Sequence, residues 1–122
     1  MAGTTQEVTM ETFESVVDSN PIVILDFWAA WCKPCQIFAP IFDEMAEAHP
    51  DVYFGKVNTE VATDLAEAFQ VRSIPTLMAF KSGELVFEQP GVLSPGMINE
   101  LIAKIREMKI APRATEPSET SE

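Results

Sequence analysis

The seven residues Ile22 to Trp28, I-V-I-L-D-F-W, constrain this chain more than any other segment. They form a nearly unbroken apolar run, rich in β-branched and aromatic side chains. Such a run fits a central strand covered on both faces better than the one-sided strand of an exposed sheet. A strand of that kind requires layers above and below it, so helices are expected on both sides. Asp26 alone interrupts the run, and the two-residue period puts it on the face shared with Ile22 and Ile24. A carboxylate buried there with poor pairing has a raised pKa, which suits an acid or base working near neutrality. The structural alternative is an aspartate at a strand end, bonded to backbone amides.

The segments around that strand supply the layers. Thr9 can cap a helix carrying Phe13, Val16 and Val17, which Asn20-Pro21 ends. A second helix runs from Pro34 to about Ala48 with Phe38, Ile41, Phe42 and Met45 on one stripe, and Pro40 inside it is expected to kink it. Val52 to Val57 reads as a strand, and Glu60 to Phe69 as a helix burying Val61, Leu65, Ala68 and Phe69. Strand, helix, strand in that order implies a parallel pair with a right-handed crossover. Thr76 to Phe80 and Leu85 to Glu88 flank Lys81-Ser82-Gly83-Glu84, a hairpin turn with Gly83 in the left-handed position. Ser94 caps a last helix that has Pro95 at its first position and Ile98, Leu101, Ile102, Ile105 and Met108 on one face. The expected fold class is α/β, a central mixed β-sheet flanked by helices on both faces.

At 122 residues the chain is expected to be one domain over 1–110, with a disordered acidic tail over 111–122 where two prolines accompany polar residues only. The net charge is −11, and without the tail's one Arg and three Glu the domain keeps 7 basic against 16 acidic residues, or −9. This argues against a nucleic-acid partner, whose phosphates need Lys and Arg. Met1 to Met10 are neither basic nor apolar and no segment is long enough to span a bilayer, so a soluble cytoplasmic protein without membrane contact is expected.

The only two cysteines stand in Trp31-Cys32-Lys33-Pro34-Cys35. Thiols at i and i+3 on a first helical turn share a face and can open and close a small disulfide ring. A position near the N-cap exposes Cys32 to unpaired amide N–H groups and the positive end of the helix dipole, which favour the thiolate nucleophile. Cys32 is therefore expected to be partly exposed and of low pKa, and Cys35, one turn in, shielded. Pro34 fits the first turn because its missing N–H would be unpaired there anyway. Two other readings compete. Zinc takes four ligands, and the chain offers these two cysteines and the distant His49. A permanent structural disulfide over so short a loop adds little through chain entropy. Catalytic exchange is the preferred reading.

Four separated segments, Asp26 through Cys35, the inner Pro40, Ile74-Pro75-Thr76 and the Gly91 before the last helix, resemble the thioredoxin family over roughly Val8 to Met108. The resemblance implies a protein-disulfide oxidoreductase that reduces disulfides in other proteins. Such a protein would bind no cofactor and would receive electrons from NADPH through a flavin-containing thioredoxin reductase; a monomer is expected. Cys32 would attack the substrate disulfide and Cys35 release the product. Asp26 would assist proton transfer at Cys35, with Lys56 modulating that carboxylate. Pro75 would be a cis-proline facing the cysteines, its neighbouring backbone binding substrate as an added strand. Trp31, Lys33, Pro34, Ile74, Gly91 and Val92 would line the docking groove, with Trp28 packing beside it. No metal is implied.

Two residues depart from the commonest family pattern. Lys33 stands where glycine is usual; its ammonium can come within roughly 6 to 8 Å of the Cys32 sulfur, an attraction of about 1 kcal/mol before screening. Pro90 precedes Gly91 and is expected at an edge or strand end, shortening the strand over Phe87 to Pro90. A more oxidising oxidase or isomerase of the same fold, and a non-catalytic binding subunit, are the competing functions.

Overall fold

The computed structural model of the chain describes residues 3–109, and the tail expected at 111–122 lies outside the described residues. In chain order the elements are β1 (Thr5–Glu7), α1 (Met10–Ser19), β2 (Ile22–Trp28), α2 (Lys33–Ala48), β3 (Tyr53–Asn58), α3 (Thr63–Ala68), β4 (Thr76–Lys81), β5 (Glu84–Pro90) and α4 (Pro95–Glu107). They form a five-stranded sheet of order β1-β3-β2-β4-β5. The expected α/β class with a mixed sheet is what the structure has. β2 lies at its centre, parallel to β3 and antiparallel to β4, and every residue from Ile22 to Phe27 is buried.

The two faces of β2 bury two separate cores. Ile22 and Ile24 join Phe38, Phe42 and Met45 of α2 and Ile98, Ile102 and Ile105 of α4. Val23, Leu25 and Phe27 join Val17 of α1, Leu65 near α3's centre, and Phe80. Each large side chain so buried contributes about 1.5–3 kcal/mol. Phe13, Phe69 and Phe80 meet edge to face, with centroid separations of 5.3 to 5.8 Å, which locks α1 and α3 onto the second face. Alternation along β2 therefore places Asp26 on the α2 and α4 side.

The helix ends follow their sequence signals. The Thr9 amide donates to Thr12 Oγ1 at 3.0 Å at the start of α1, and Ser94 Oγ accepts the Met97 N–H at the start of α4. α2 continues through Pro40 from Lys33 to Ala48. At the sheet end away from β2's C-terminus, α4 is tied down by polar contacts. Arg106 pairs with Asp51, His49 Nε2 meets Asn99 Oδ1 at 2.7 Å, and Lys81 Nζ donates to the Ile105 carbonyl at 3.0 Å.

Several boundaries differ from expectation. β1 was not foreseen; it pairs in parallel with β3, Thr5 opposite Phe54 and Glu7 opposite Lys56, and its T-Q-E sequence carries no apolar alternation. α3 begins at Thr63 rather than Glu60, so Val61 sits in the preceding turn and is 66% exposed, while Ala68 faces solvent. Met108 is the C-cap beyond α4 and is exposed. The hairpin holds, with Ser82 and Gly83 both at positive φ (52° and 83°). Pro90 does not shorten its strand: β5 runs to Pro90, paired with Thr76, because β5 is an edge and has a partner strand on one side only. No helix among the described residues is long and apolar enough to cross a membrane.

Candidate active site

β2 ends at Trp28, and a short loop carries the chain from its C-terminal edge into α2. Cys32 is the N-cap of that helix and Lys33 its first residue, with Pro34 in the first turn. Cys32 and Cys35 form a disulfide with Cα atoms 5.2 Å apart. The Cys35 amide donates to Cys32 Sγ at 3.2 Å. One of the unpaired N–H groups of the helix start is thus already aimed at the first sulfur, where it favours negative charge.

The expected contrast in exposure between the two cysteines is not present, since each is 3% exposed. In the disulfide form both sulfurs pack into a small cluster with Ala29, against Trp28 and Ile74. What separates them is hydrogen bonding, because the helix amide serves Cys32. Cys32 Sγ also lies 3.7 Å from the Ile74 carbonyl oxygen, an acceptor for its thiol in the reduced form.

Ile74 belongs to the segment that enters β4. The Ile74-Pro75 peptide is cis, as the resemblance implied, and Pro75 is buried. Thr76 Oγ1 donates to the Ser73 carbonyl at 2.6 Å and the Gly91 amide to the Pro75 carbonyl at 2.8 Å. These bonds hold the segment against the end of β5. Gly91 has φ of +97°, which a side chain would strain, and it turns the chain from Pro90 toward Val92. Trp31 is 69% exposed and Val92 41% exposed beside this segment. Lys33 and Pro34 are exposed as well.

Asp26 is fully buried, and neither carboxylate oxygen has a hydrogen-bond partner among the described residues. Burial raises its pKa from 3.8 to about 7, opposed by the positive charge of Lys56 and reinforced by Asp43. The reading of a carboxylate satisfied by backbone amides is thereby excluded. Lys56 is the direct neighbour of Asp26 across the β2–β3 ladder, and its Nζ lies 5.1 Å from the centroid of the Trp28 ring. A cavity of about 270 Å³ brings Lys56 and Cys35 together, lined also by Trp28, Ala29, Ala30, Gln36 and Ala39. Asp26 is not among the residues that line this cavity.

Sequence reasoning missed two supports and one exposed charge. Gln36 Nε2 donates to the Ala30 carbonyl at 2.9 Å and clasps the cysteine loop to α2. Thr59 donates its amide (2.9 Å) and hydroxyl (3.0 Å) to the Trp28 carbonyl, fixing the end of β2. Arg72 stands exposed just before the Ile74-Pro75 segment, and its charge beside that dipeptide was the signal available. No group of three or more His, Cys, Asp or Glu able to hold a metal ion occurs among the described residues.

Comparison with known proteins places this geometry. A family model described as Thioredoxin matches residues 4–105. A putative thioredoxin 2 of Streptomyces coelicolor is 45% identical over 104 residues, covering 85% of this chain and 78% of the relative. Thioredoxin 1 of Nostoc is 39% identical over 100 residues, covering 80% and 94%. Among solved structures, a mutant thioredoxin from Halobacterium salinarum superposes with a TM-score of 0.82 at 31% identity, covering 89% of this chain and 96% of that one. A thioredoxin f2 solved in complex with ferredoxin:thioredoxin reductase gives 0.77 at 28% identity, covering 84% and 96%.

Proposed function

This chain belongs to the thioredoxin family and is a protein-disulfide oxidoreductase; we propose that it works in the reducing direction, with Cys32 as nucleophile and Cys35 as resolving thiol. The observation that carries the assignment of roles is the Cys35 amide aimed at Cys32 Sγ at the start of α2. In the reduced protein the Cys32 thiolate attacks one sulfur of a substrate disulfide, forming a mixed disulfide and releasing the other sulfur as a thiolate. Cys35 then loses its proton and attacks Cys32 Sγ. That step forms the Cys32–Cys35 disulfide and releases the second substrate thiolate, so two electrons have passed to the substrate.

Asp26, with a pKa of about 7, is suited to take the Cys35 proton at neutral pH, and Lys56 tunes it by favouring the ionised carboxylate. Substrate docks over Trp31, Lys33, Pro34, Ile74, Pro75, Gly91 and Val92, its backbone running beside Ile74 as an added strand. The reacting groups are side chains alone. Two electrons per cycle come from NADPH through a flavin-containing reductase, in the cytoplasm, with the chain acting as a monomer. The relative solved with ferredoxin:thioredoxin reductase marks the other donor to compare.

The test is reduction of insulin disulfides, driven in parallel by NADPH with a flavin reductase and by dithiothreitol. Turnover in both arms, lost in Cys32→Ser, supports the full reading. Turnover with dithiothreitol alone retains the dithiol chemistry and removes the flavin route. A reduction potential near about −270 mV fits a reductant, whereas one of about −120 to −180 mV reassigns the chain as an oxidase or isomerase.

A further inference from the structure

The end of the sheet that carries the disulfide is also where cations without partners gather. Of the Lys and Arg side chains among the described residues, Arg106 pairs with Asp51, Lys81 donates to the Ile105 carbonyl, and Lys56 lies over Trp28. Lys104 is in the last turn of α4 and Lys109 beyond it, at the far end of the molecule. Lys33 and Arg72 remain. Both are exposed and neither makes an ion pair or hydrogen bond among the described residues. Lys33 follows Cys32 directly, and Arg72 precedes by two residues the Ile74 whose carbonyl lies 3.7 Å from Cys32 Sγ. The two cations therefore flank the reactive sulfur from α2 and from the approach to β4. Trp31, next to Cys32 in the chain, and Val92, next to Gly91, are exposed apolar side chains at the same end of the sheet. Glu60, two residues past the end of β3, stands at this same end of the sheet but across β2 from β4 and β5, and Glu88 is exposed on β5.

We propose that Lys33 and Arg72 select acidic substrates: the preferred occupant is an extended, disulfide-bearing segment of a partner protein with Asp or Glu two or three residues from the attacked cysteine. This rests on the disulfide-reducing reading above. A segment added beside Ile74 advances about 3.3 Å per residue, so its second residue from the cysteine reaches the level of Arg72. Charges that close interact within the Debye length of about 10 Å at 0.1 M salt. Asp43, Glu44 and Glu47 of α2 lie farther off, since eleven or more residues of helix at about 1.5 Å each separate them from Cys32. At about 0.1 M most of the net charge of −11 is screened beyond that distance, so Lys33 and Arg72 act most directly on a segment beside Ile74. At about 0.01 M, where the Debye length is about 30 Å, the whole acidic body opposes an acidic segment. The preference peaks at intermediate salt.

The experiment mixes the fully reduced chain with three disulfide peptides that are identical except for Asp, Ser or Lys two residues from the cysteine. Single-turnover rates are read at 0.01, 0.1 and 1 M NaCl. At 0.1 M the aspartyl peptide should react roughly three- to tenfold faster than the lysyl one, and the gap should close at 1 M. Lys33→Glu with Arg72→Glu should reverse the order, Lys33→Gln with Arg72→Gln should abolish it, and Lys104→Glu should leave it as it is. Equal rates for the three peptides at 0.1 M, or an order unchanged in both double variants, overturns the proposal alone. Failure of the seryl peptide to react overturns the disulfide-reducing reading and the proposal with it.

Discussion

Replacing Asp26 with asparagine should make the oxidised protein more stable at alkaline pH and slower in exchange at neutral pH. The carboxyl is buried and without a hydrogen-bond partner among the described residues, and its pKa rises from 3.8 to about 7 chiefly through desolvation. At about 1.4 kcal/mol per pH unit, that rise corresponds to roughly 4 kcal/mol of disfavoured ionisation in the folded state. The sign follows from proton binding. Below pH 3.8 the group is protonated whether folded or unfolded and adds no ionisation cost. Between 3.8 and about 7 the unfolded chain loses the proton while the folded chain keeps it, so stability falls as pH rises. Above about 7 the full cost is present. Asparagine has the same shape and no charge, but its buried amide, lacking partners, costs about 1–3 kcal/mol at every pH. The variant should therefore match or fall below the parent at about pH 4 and exceed it by about 1–3 kcal/mol at about pH 8.5. Urea unfolding of both oxidised proteins across that pH range measures the difference. A difference that does not change with pH, or a variant several kcal/mol less stable at the alkaline end, would refute the buried-charge argument and with it the proton-transfer role.

Lys56→Met removes the charge that opposes the raised pKa of Asp26, so the acid limb of the exchange-rate profile, where the base becomes protonated, should move to higher pH; an unmoved profile would separate Lys56 from the reaction. In the reduced protein, limiting iodoacetamide followed by mass spectrometry should label Cys32 before Cys35, because the helix amide favours its thiolate. Preferential labelling of Cys35 would reverse the two roles. Gly55→Ala puts a methyl 2.7 Å from Val8 Cγ2 and 2.8 Å from Leu25 Cδ2 in a packed core. It should cost about 1–3 kcal/mol in urea unfolding while leaving the pH profile of exchange in place.

The sheet's centre was legible because β2 must be apolar on both faces, and its one polar residue, Asp26, stood out for the same reason. The helical stripes on α2 and α4 were equally plain, since Phe38, Phe42, Ile98 and Ile102 recur at helical spacing. β1 was not legible: its T-Q-E residues are held by backbone pairing at an edge, where side chains need not be apolar. Val61 and Ala68 misled for another reason. They continue an apolar pattern to and past the ends of a helix that has one fully buried residue, Leu65, and the turn at each end points them outward. Pro90 obeyed its local rule, yet the edge position of β5 removed the expected consequence. The cysteine pair and the Ile74-Pro75 step are far apart in sequence, and spacing alone does not bring them together. The family resemblance did, and the 3.7 Å approach of Cys32 Sγ to the Ile74 carbonyl shows the meeting.

Trapping the mixed disulfide tests the central claim most directly. Cys35→Ser, reduced and mixed with a disulfide-bearing protein, should hold that protein covalently through Cys32, and one equivalent of substrate thiol should appear. Intact-mass and peptide analysis should place the cross-link at Cys32, and dithiothreitol should release it. A variant that forms no adduct while the parent still reduces the same substrate would contradict attack by Cys32 and the division of labour between the two cysteines.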